Sequence, residues 1–398
     1  MRIALKFAAI GFVASTLAYS LSPSCVWAQE AKQEAKQDIK IGITISTTGP
    51  AASLGLPQQK SISLLPGEIE GHKIQYLLLD DGSDTTKAVA NTRKMIDESG
   101  VDAIIGSSTT PVSLAMIDVV ADKQVPMISL AASRAVIAPM DAKKRWVFKM
   151  PQNDSLMADA IAEHMAANGV KTVAFIGFAD AYGDGWLKET QRALATKNIT
   201  LATIERYNRT DTSVTGQAAK ILGSQPDAVL IVGSGTPAAL PQKTLRELGY
   251  AGKYYQTHGV ANLDFLRVGG KDVDGTFLPA GPIVIAEQLS DANPAKRIAV
   301  NYIAAFEKAN GSGSVAFGSY AYDAGLLLQN AIPAALKKAN PGTLEFRQAL
   351  RDSLEQTKEL PVTNGVLNMT ADNHNGLDQR ARVMLTIENG HWKLLSQN

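Results

Sequence analysis

The feature that most constrains this chain is a sustained alternation of short, nearly continuous apolar runs with longer stretches of helical spacing. Residues 39–46 (IKIGITIS) alternate β-branched side chains and stop at Thr47-Thr48-Gly49-Pro50, a strand followed by a turn. A second strand is read at 73–80 (KIQYLLLD), and Ala88, Val89, Thr92, Met95 and Ile96 give 85–99 the spacing of a helix. Strands at 103–106 and 126–130 flank a helix at 111–122. From Asp154 the alternation restarts, with helices at 155–168, 183–197, 214–224 and 237–248 among strands at 172–177, 201–207, 228–232 and 253–257. Strands apolar on both faces, separated by amphipathic helices, belong to parallel sheets covered on both sides. Two such series predict an α/β protein of two doubly wound, Rossmann-like lobes.

A helical block follows at 294–310, 320–338 and 344–355, and 383–388 with 392–395 around Asn389-Gly390 reads as a hairpin. Return of that block to the first lobe would make the chain cross between lobes several times. The expected division is 39–152 plus 283–363 for lobe 1, and 153–282 plus 364–398 for lobe 2.

The start of the chain has another character. Arg2 and Lys6 precede an apolar run, and Val26-Trp27-Ala28 fits a small-x-small cleavage site, so residues 1–28 read as a secretory signal peptide cut after Ala28. Ser22-Pro23-Ser24 before Cys25 is a poor lipoprotein site. Residues 29–38 (QEAKQEAKQD) read as a flexible polar leader. Removal of Cys25, the single cysteine, would leave a cysteine-free exported protein stabilised by core burial and not by cross-links. The formal net charge of +1 offers no basic excess for nucleic acid.

Ligands of open α/β sheets bind beyond the carboxyl ends of the strands. After the third strand, Ser107-Ser108-Thr109-Thr110-Pro111 places hydroxyls and free backbone N–H groups at a helix start, which suits either an anion or ordinary capping. Ala131-Ala132-Ser133 follows the fourth strand with small residues that let a ligand approach the backbone. In the second series, Asp180-Ala181-Tyr182-Gly183 opens a helix, and Tyr182 could stack on a ligand or on its own lobe. Ser234, Gly235 and Thr236, and Thr257-His258-Gly259, hold the same topological place after later strands. No P-loop, dinucleotide fingerprint, G-x-S-x-G elbow or H-E-x-x-H pair is present, so no catalytic residue, cofactor or metal is expected. The acidic loops at 80–84 and 372–376 lack calcium-loop spacing and read as solvated turns.

Thr48-Gly49-Pro50 with Gly55, Asp80 to Asp84, Gly106 to Thr109, Pro126 to Ser129, Asp180 to Gly183, Gly233 to Pro237, His258-Gly259-Val260 and Tyr320 to Gly325 fall in order along the chain. Together they resemble the leucine/isoleucine/valine-binding branch of type I periplasmic substrate-binding proteins. The resemblance implies two lobes joined by a three-stranded hinge, closing on a small molecule that is passed to an inner-membrane ABC permease, with a monomeric protein and no enzyme activity. It also implies that Ser107, Ser108, Thr109, Ala131, Ala132 and Ser133 take a ligand carboxylate and that Tyr182 closes over it. Where amino-acid binders hold an acid against the ligand ammonium, this chain has His258, and where they hold an aromatic residue before the first-loop glycine it has Leu54. A kept carboxylate seat without an ammonium partner resembles the members that bind aromatic acids such as benzoate or phenylpropenoid derivatives. His258 would then donate to a ring hydroxyl or second carboxylate, or be a structural loop histidine, with Phe178 and Tyr182 as aromatic contacts. A branched-chain amino-acid or amide receptor of the same family, a sensor-kinase partner, and a doubly wound enzyme are the alternatives.

Overall fold

The computed structural model describes residues 36–313 and 315–395. The signal peptide, Cys25 and most of the polar leader lie outside the described residues. The leader's last three residues do not behave as a flexible segment: the Lys36 ammonium donates to the Glu70 carbonyl, Gln37 O is bonded to His72 and the Asp38 carboxylate to Gln75.

The first lobe is laid down by β1 (Ile39–Ile45), α1 (Ala52–Ile62), β2 (Glu68–Ile69), β3 (His72–Asp80), α2 (Thr85–Asp97), β4 (Ala103–Gly106), α3 (Thr110–Asp122), β5 (Met127–Ser129) and β6 (Val147–Lys149). Its six strands run β2-β3-β1-β4-β5-β6, parallel except for the β2 edge. The two faces of β1 explain its sequence. Ile39, Ile41, Ile43 and Ile45 enter one core, while Gly42 leaves room on the other, where a Cβ would meet Ile104 and the Met95 sulfur within 3 Å. Gly55 lets the first turn of helix α1 lie against the end of β1; a Cβ there would sit 2.0 Å from Ser46 O.

The second lobe carries α4 (Asp154–Ala167), β7 (Thr172–Phe178), α5 (Ala181–Ala195), β8 (Thr200–Tyr207), α6 (Thr215–Gly223), β9 (Ala228–Val232), α7 (Ala239–Glu247), β10 (Lys253–Gln256), α8 (Leu263–Gly269) and β11 (Phe277–Ala280). After α9 (Lys296–Asn310), the chain returns through α10 (Val315–Leu336) and α11 (Leu344–Glu355), which pack Leu327, Leu328, Phe346 and Leu350 onto the β1 isoleucines. Then β12 (Leu360–Val362) and β13 (Gly365–Leu367) pair, and β14 (Val383–Glu388) and β15 (His391–Leu394) complete the second sheet. That sheet runs β15-β14-β11-β10-β9-β7-β8, with β14 and β15 antiparallel. Asn389 and Gly390 both take positive φ, the geometry of a tight hairpin turn.

Three segments join the lobes, at 150–153, 281–282 and 363–382. The first and third are bonded to each other. Gln152 donates to Ala381 O and accepts from Tyr320 Oη, both at 2.9 Å, and the Asn375 amide donates to the carbonyls of Lys149 and Pro151 at 3.0 Å. The 372–376 loop is therefore not a solvated turn: His374 is buried, its ring stacked on Phe148 at 4.1 Å and its Nδ1 bonded to Val147 O.

Candidate functional site

Both sheets reverse their winding beside their first strand, β1 between β3 and β4 and β7 between β8 and β9. Loops on either side of such a reversal diverge and leave a crevice. The two crevices face each other across a cavity whose walls come from both lobes.

On the first lobe the wall is Leu54, Ser108, Thr109, Thr110, Leu130 and Ala132, with Phe317 and Tyr320 from α10. Gly106 lets the chain turn at the end of β4, since a Cβ there would lie 1.9 Å from Thr44 O. Ser108 Oγ donates to Gln58 at 2.6 Å and accepts from Ser46 N, which fixes the loop. Thr109 occupies the N-cap position of α3 in extended geometry, yet its hydroxyl makes no capping bond. Thr110 Oγ1 is buried without a partner. Thr109 and Thr110 thus bring two hydroxyls to the cavity wall at the N-terminus of α3, a setting that favours an anion.

On the second lobe the wall is Tyr182, Arg209, Ser234, His258 and Gly259, and Pro151 adds a hinge residue. Tyr182 sits in the first turn of α5, whose cap Asp180 accepts from the N–H groups of Tyr182 and Gly183. Its hydroxyl lies 2.8 Å from Thr257 Oγ1, and burial pushes the phenol pKa up. The second oxygen of Asp180 accepts from Arg209 Nε at 2.7 Å. Arg209 Nη1 donates to Ser234 Oγ at 3.0 Å, and the guanidinium lies over the Phe178 ring, 4.1 Å from its centroid. His258 is 2% exposed, and neither ring nitrogen has a hydrogen-bond partner. Burial, reinforced by the Lys149 ammonium, pushes its pKa down to about 3, so the imidazole is neutral.

The structure thus brings Leu54, Ser108, Thr109, Ala132, Tyr182, Ser234 and His258 to one cavity. Six other expected contacts lie elsewhere. Ser107 Oγ is committed to the buried Asp81 carboxylate at 2.7 Å, and Ala131 packs in the core beneath α3. Ser133 donates to Asp154, and Phe178 is covered by Arg209 and packs on Tyr207. Gly235 faces Ser53 and Leu54 across the cleft, and Thr236 begins a short 3-10 turn that leads into α7. Arg209, Thr110, Leu130, Pro151, Gly259, Phe317 and Tyr320 line the cavity without having been expected to. Of these, Thr110 stood in the hydroxyl run after β4, and Gly259 and Tyr320 in the ordered set of family residues, while Arg209, Leu130, Pro151 and Phe317 carried no signal.

The charge of the wall is its most selective property. Arg209 is its one cation, and no aspartate or glutamate lines it among the described residues.

Residues 38–390 match the periplasmic binding protein family. An extracellular ligand-binding receptor from Rhodopseudomonas palustris HaA2 is 47% identical and superposes with a TM-score of 0.88, covering 90% of this chain and 99% of that one. The Leu/Ile/Val-binding protein BraC3 of Rhizobium johnstonii is 26% identical over 337 residues, 82% of this chain and 85% of its own. A solute-binding protein of R. palustris solved in complex with benzoate shares the fold, at 20% identity and a TM-score of 0.76 over 90% of this chain and 95% of that one. This chain belongs to the periplasmic binding protein family, in the two-lobed type I fold.

Proposed function

We propose that this protein is the periplasmic solute-binding component of an ABC importer, and that it carries a small aromatic carboxylate in the cleft between its lobes to an inner-membrane permease. The observation that carries this reading is the wall of the cavity: one guanidinium, a neutral imidazole, unused hydroxyls at a helix start, and no carboxylate among the described residues. An α-amino acid would bury its ammonium beside Arg209 without a counter-ion, at a cost of several kcal/mol. A carboxylate gains Arg209, Thr109 and Thr110. Leu54, Leu130, Phe317, Tyr182 and Tyr320 supply apolar and aromatic surface for a ring. The benzoate complex of a protein with this fold favours the same ligand class, whereas the names of the Leu/Ile/Val-binding relatives favour amino acids. Export through residues 1–28 and a monomeric state complete the reading, and the relatives are binding proteins and receptors, not enzymes.

Thermal denaturation of the mature protein with 1 mM benzoate, leucine or benzamide tests it. A ligand present at about 1,000 times its Kd stabilises by about 4 kcal/mol. Benzoate should raise Tm by several degrees, with leucine and benzamide inert. A shift with leucine and none with benzoate would overturn the reading.

A further inference from the structure

Behind the cavity wall stands a buried cation that the contacts above leave unused. Lys149 is the last residue of β6, where the chain leaves the first sheet for the second, and it is completely buried. Its Nζ donates to a single acceptor, the carbonyl of Pro151, and Pro151 itself lines the cavity. Among the described residues no carboxylate lies within ion-pairing distance of it. An ammonium has three N–H donors and strong hydration, so a buried one with a single acceptor is incompletely compensated.

The groups around it come from several elements. Asp154 at the start of α4 attracts the ammonium, but its oxygens already accept from Ser133 Oγ and Arg134 N, and Glu189 of α5 opposes its charge. His258, beyond β10, feels the ammonium and stays neutral. The His374 loop gives Lys149 N–H a backbone carbonyl, and burial holds the His374 ring pKa down. Tyr182 is a neutral phenol of the wall, and Arg209 is its fixed cation.

We propose that Lys149 is the buried counter-charge of the anion site: a carboxylate entering the cavity stabilises its ammonium, so that binding the anion takes up a proton at Lys149 Nζ. This rests on the carboxylate reading above. Burial pushes the Lys149 pKa down to about 7, so in the unliganded protein the proton leaves as pH rises through neutrality. A bound carboxylate raises that value again. Below pH 7 Lys149 is charged with or without ligand, and affinity is flat. Above it, the ligand must restore the proton, and affinity falls by up to about tenfold per pH unit until the bound-state pKa is reached. Benzoate keeps its charge throughout this window. The buried hinge carboxyl of Asp323, held up to about 6, and His258 titrate below it.

Calorimetry of benzoate binding to the mature protein at pH 8, in phosphate and in Tris, reads the proton count directly from the difference in heat. The expected result is uptake approaching one proton and a Kd that weakens about tenfold from pH 7 to pH 8.5. Lys149→Met should abolish the uptake, flatten the profile and weaken binding at pH 7. Benzoate binding with no proton uptake and a flat profile from pH 7 to 9 would overturn the coupling and leave the carboxylate reading standing. Uptake that persists in Lys149→Met would also overturn it. Absence of benzoate binding at pH 7 overturns both. If Lys149→Met does not fold, the two-buffer measurement on the unaltered protein decides alone.

Discussion

The Nε of Arg209 donates to the Asp180 carboxylate at 2.7 Å, so the cation of the cavity wall is held by the residue that caps α5. One Asp180 oxygen orients Tyr182 through its backbone N–H while the other orients Arg209, coupling the two side chains that face the ligand from the second lobe. Removing a desolvated charge partner from a binding site costs roughly 2–5 kcal/mol. Arg209→Met should therefore weaken benzoate binding at least about 30-fold. Arg209→Lys should recover only part of it, because an ammonium cannot reproduce the fork that reaches Asp180 and Ser234 together. Isothermal titration of the three proteins decides; equal affinity for Arg209→Met and the unaltered chain would remove Arg209 from the site.

Gly235 of the second lobe faces the first turn of α1. Its φ is +64°, and a Cβ would lie 2.5 Å from Ser53 Oγ and 2.8 Å from Leu54 Cδ1. Gly235→Ala adds backbone strain of about 1–3 kcal/mol in any state of the cleft, and a clash only when the cleft is closed. Gly249→Ala is the matched control, since Gly249 has φ +85° and nothing within 4 Å of the added carbon. Both variants should lose a few degrees of Tm, but only Gly235→Ala should lose about tenfold or more in benzoate affinity. Small-angle scattering at saturating benzoate should show Gly235→Ala more extended than the control. Matching affinities and matching radii of gyration would refute a closure role for this contact.

Neighbouring hydroxyls of the loop after β4 serve different ends. Ser107 Oγ donates to Asp81, a buried carboxylate that also accepts from Ser46 Oγ at 2.7 Å, while the Thr109 hydroxyl makes no capping bond. Ser107→Ala leaves a buried charge short of a donor and should cost about 1.5–3 kcal/mol of stability with little change in affinity. Thr109→Val should do the reverse, losing about 5- to 30-fold in affinity at nearly constant stability. Urea denaturation and titration of both variants check the pair, and a stability loss in Thr109→Val with unchanged binding would contradict the assignment.

The order of strands and helices was legible because it is written locally. Ile39, Ile41, Ile43 and Ile45 alternate on one strand, and Ala88, Thr92, Met95 and Ile96 share one buried helix face. Strand β6 was not legible, being three residues long with Lys149 in it, and β11 carries Pro279 in a sheet interior. Loops at strand ends pointed to Ser108, Thr109, Tyr182, Ser234 and His258, because topology puts such loops at the crevice. The residues that escaped reach it from a distance. Arg209 stands two residues past β8, in a turn with Asp211, and arrives by side-chain length. Phe317 and Tyr320 arrive only because α10 folds back on the first sheet, a long-range event that no local pattern records.

His258 should make the unliganded protein acid-labile. Its folded-state pKa of about 3 lies below the value of about 6.5 expected in the unfolded chain, so as pH falls the unfolded chain takes up the proton first. The contribution is complete above pH 6.5 and is lost progressively toward pH 3. By pH 4 it amounts to about 3 kcal/mol, at about 1.4 kcal/mol per pH unit. Asp323 acts in the opposite sense. Burial holds its carboxyl up to about 6, so the folded state binds that proton first and gains stability as pH falls toward 4. The His258 term is isolated by comparison with His258→Gln, whose side chain does not titrate while Asp323 is unchanged. Urea unfolding at pH 7, 5.5 and 4 should show the stability difference between the two proteins shifting by about 3 kcal/mol in favour of His258→Gln across that range. Parallel pH profiles would mean that the imidazole is not held neutral in the wall, and the electrostatic account of the cavity would fall with it.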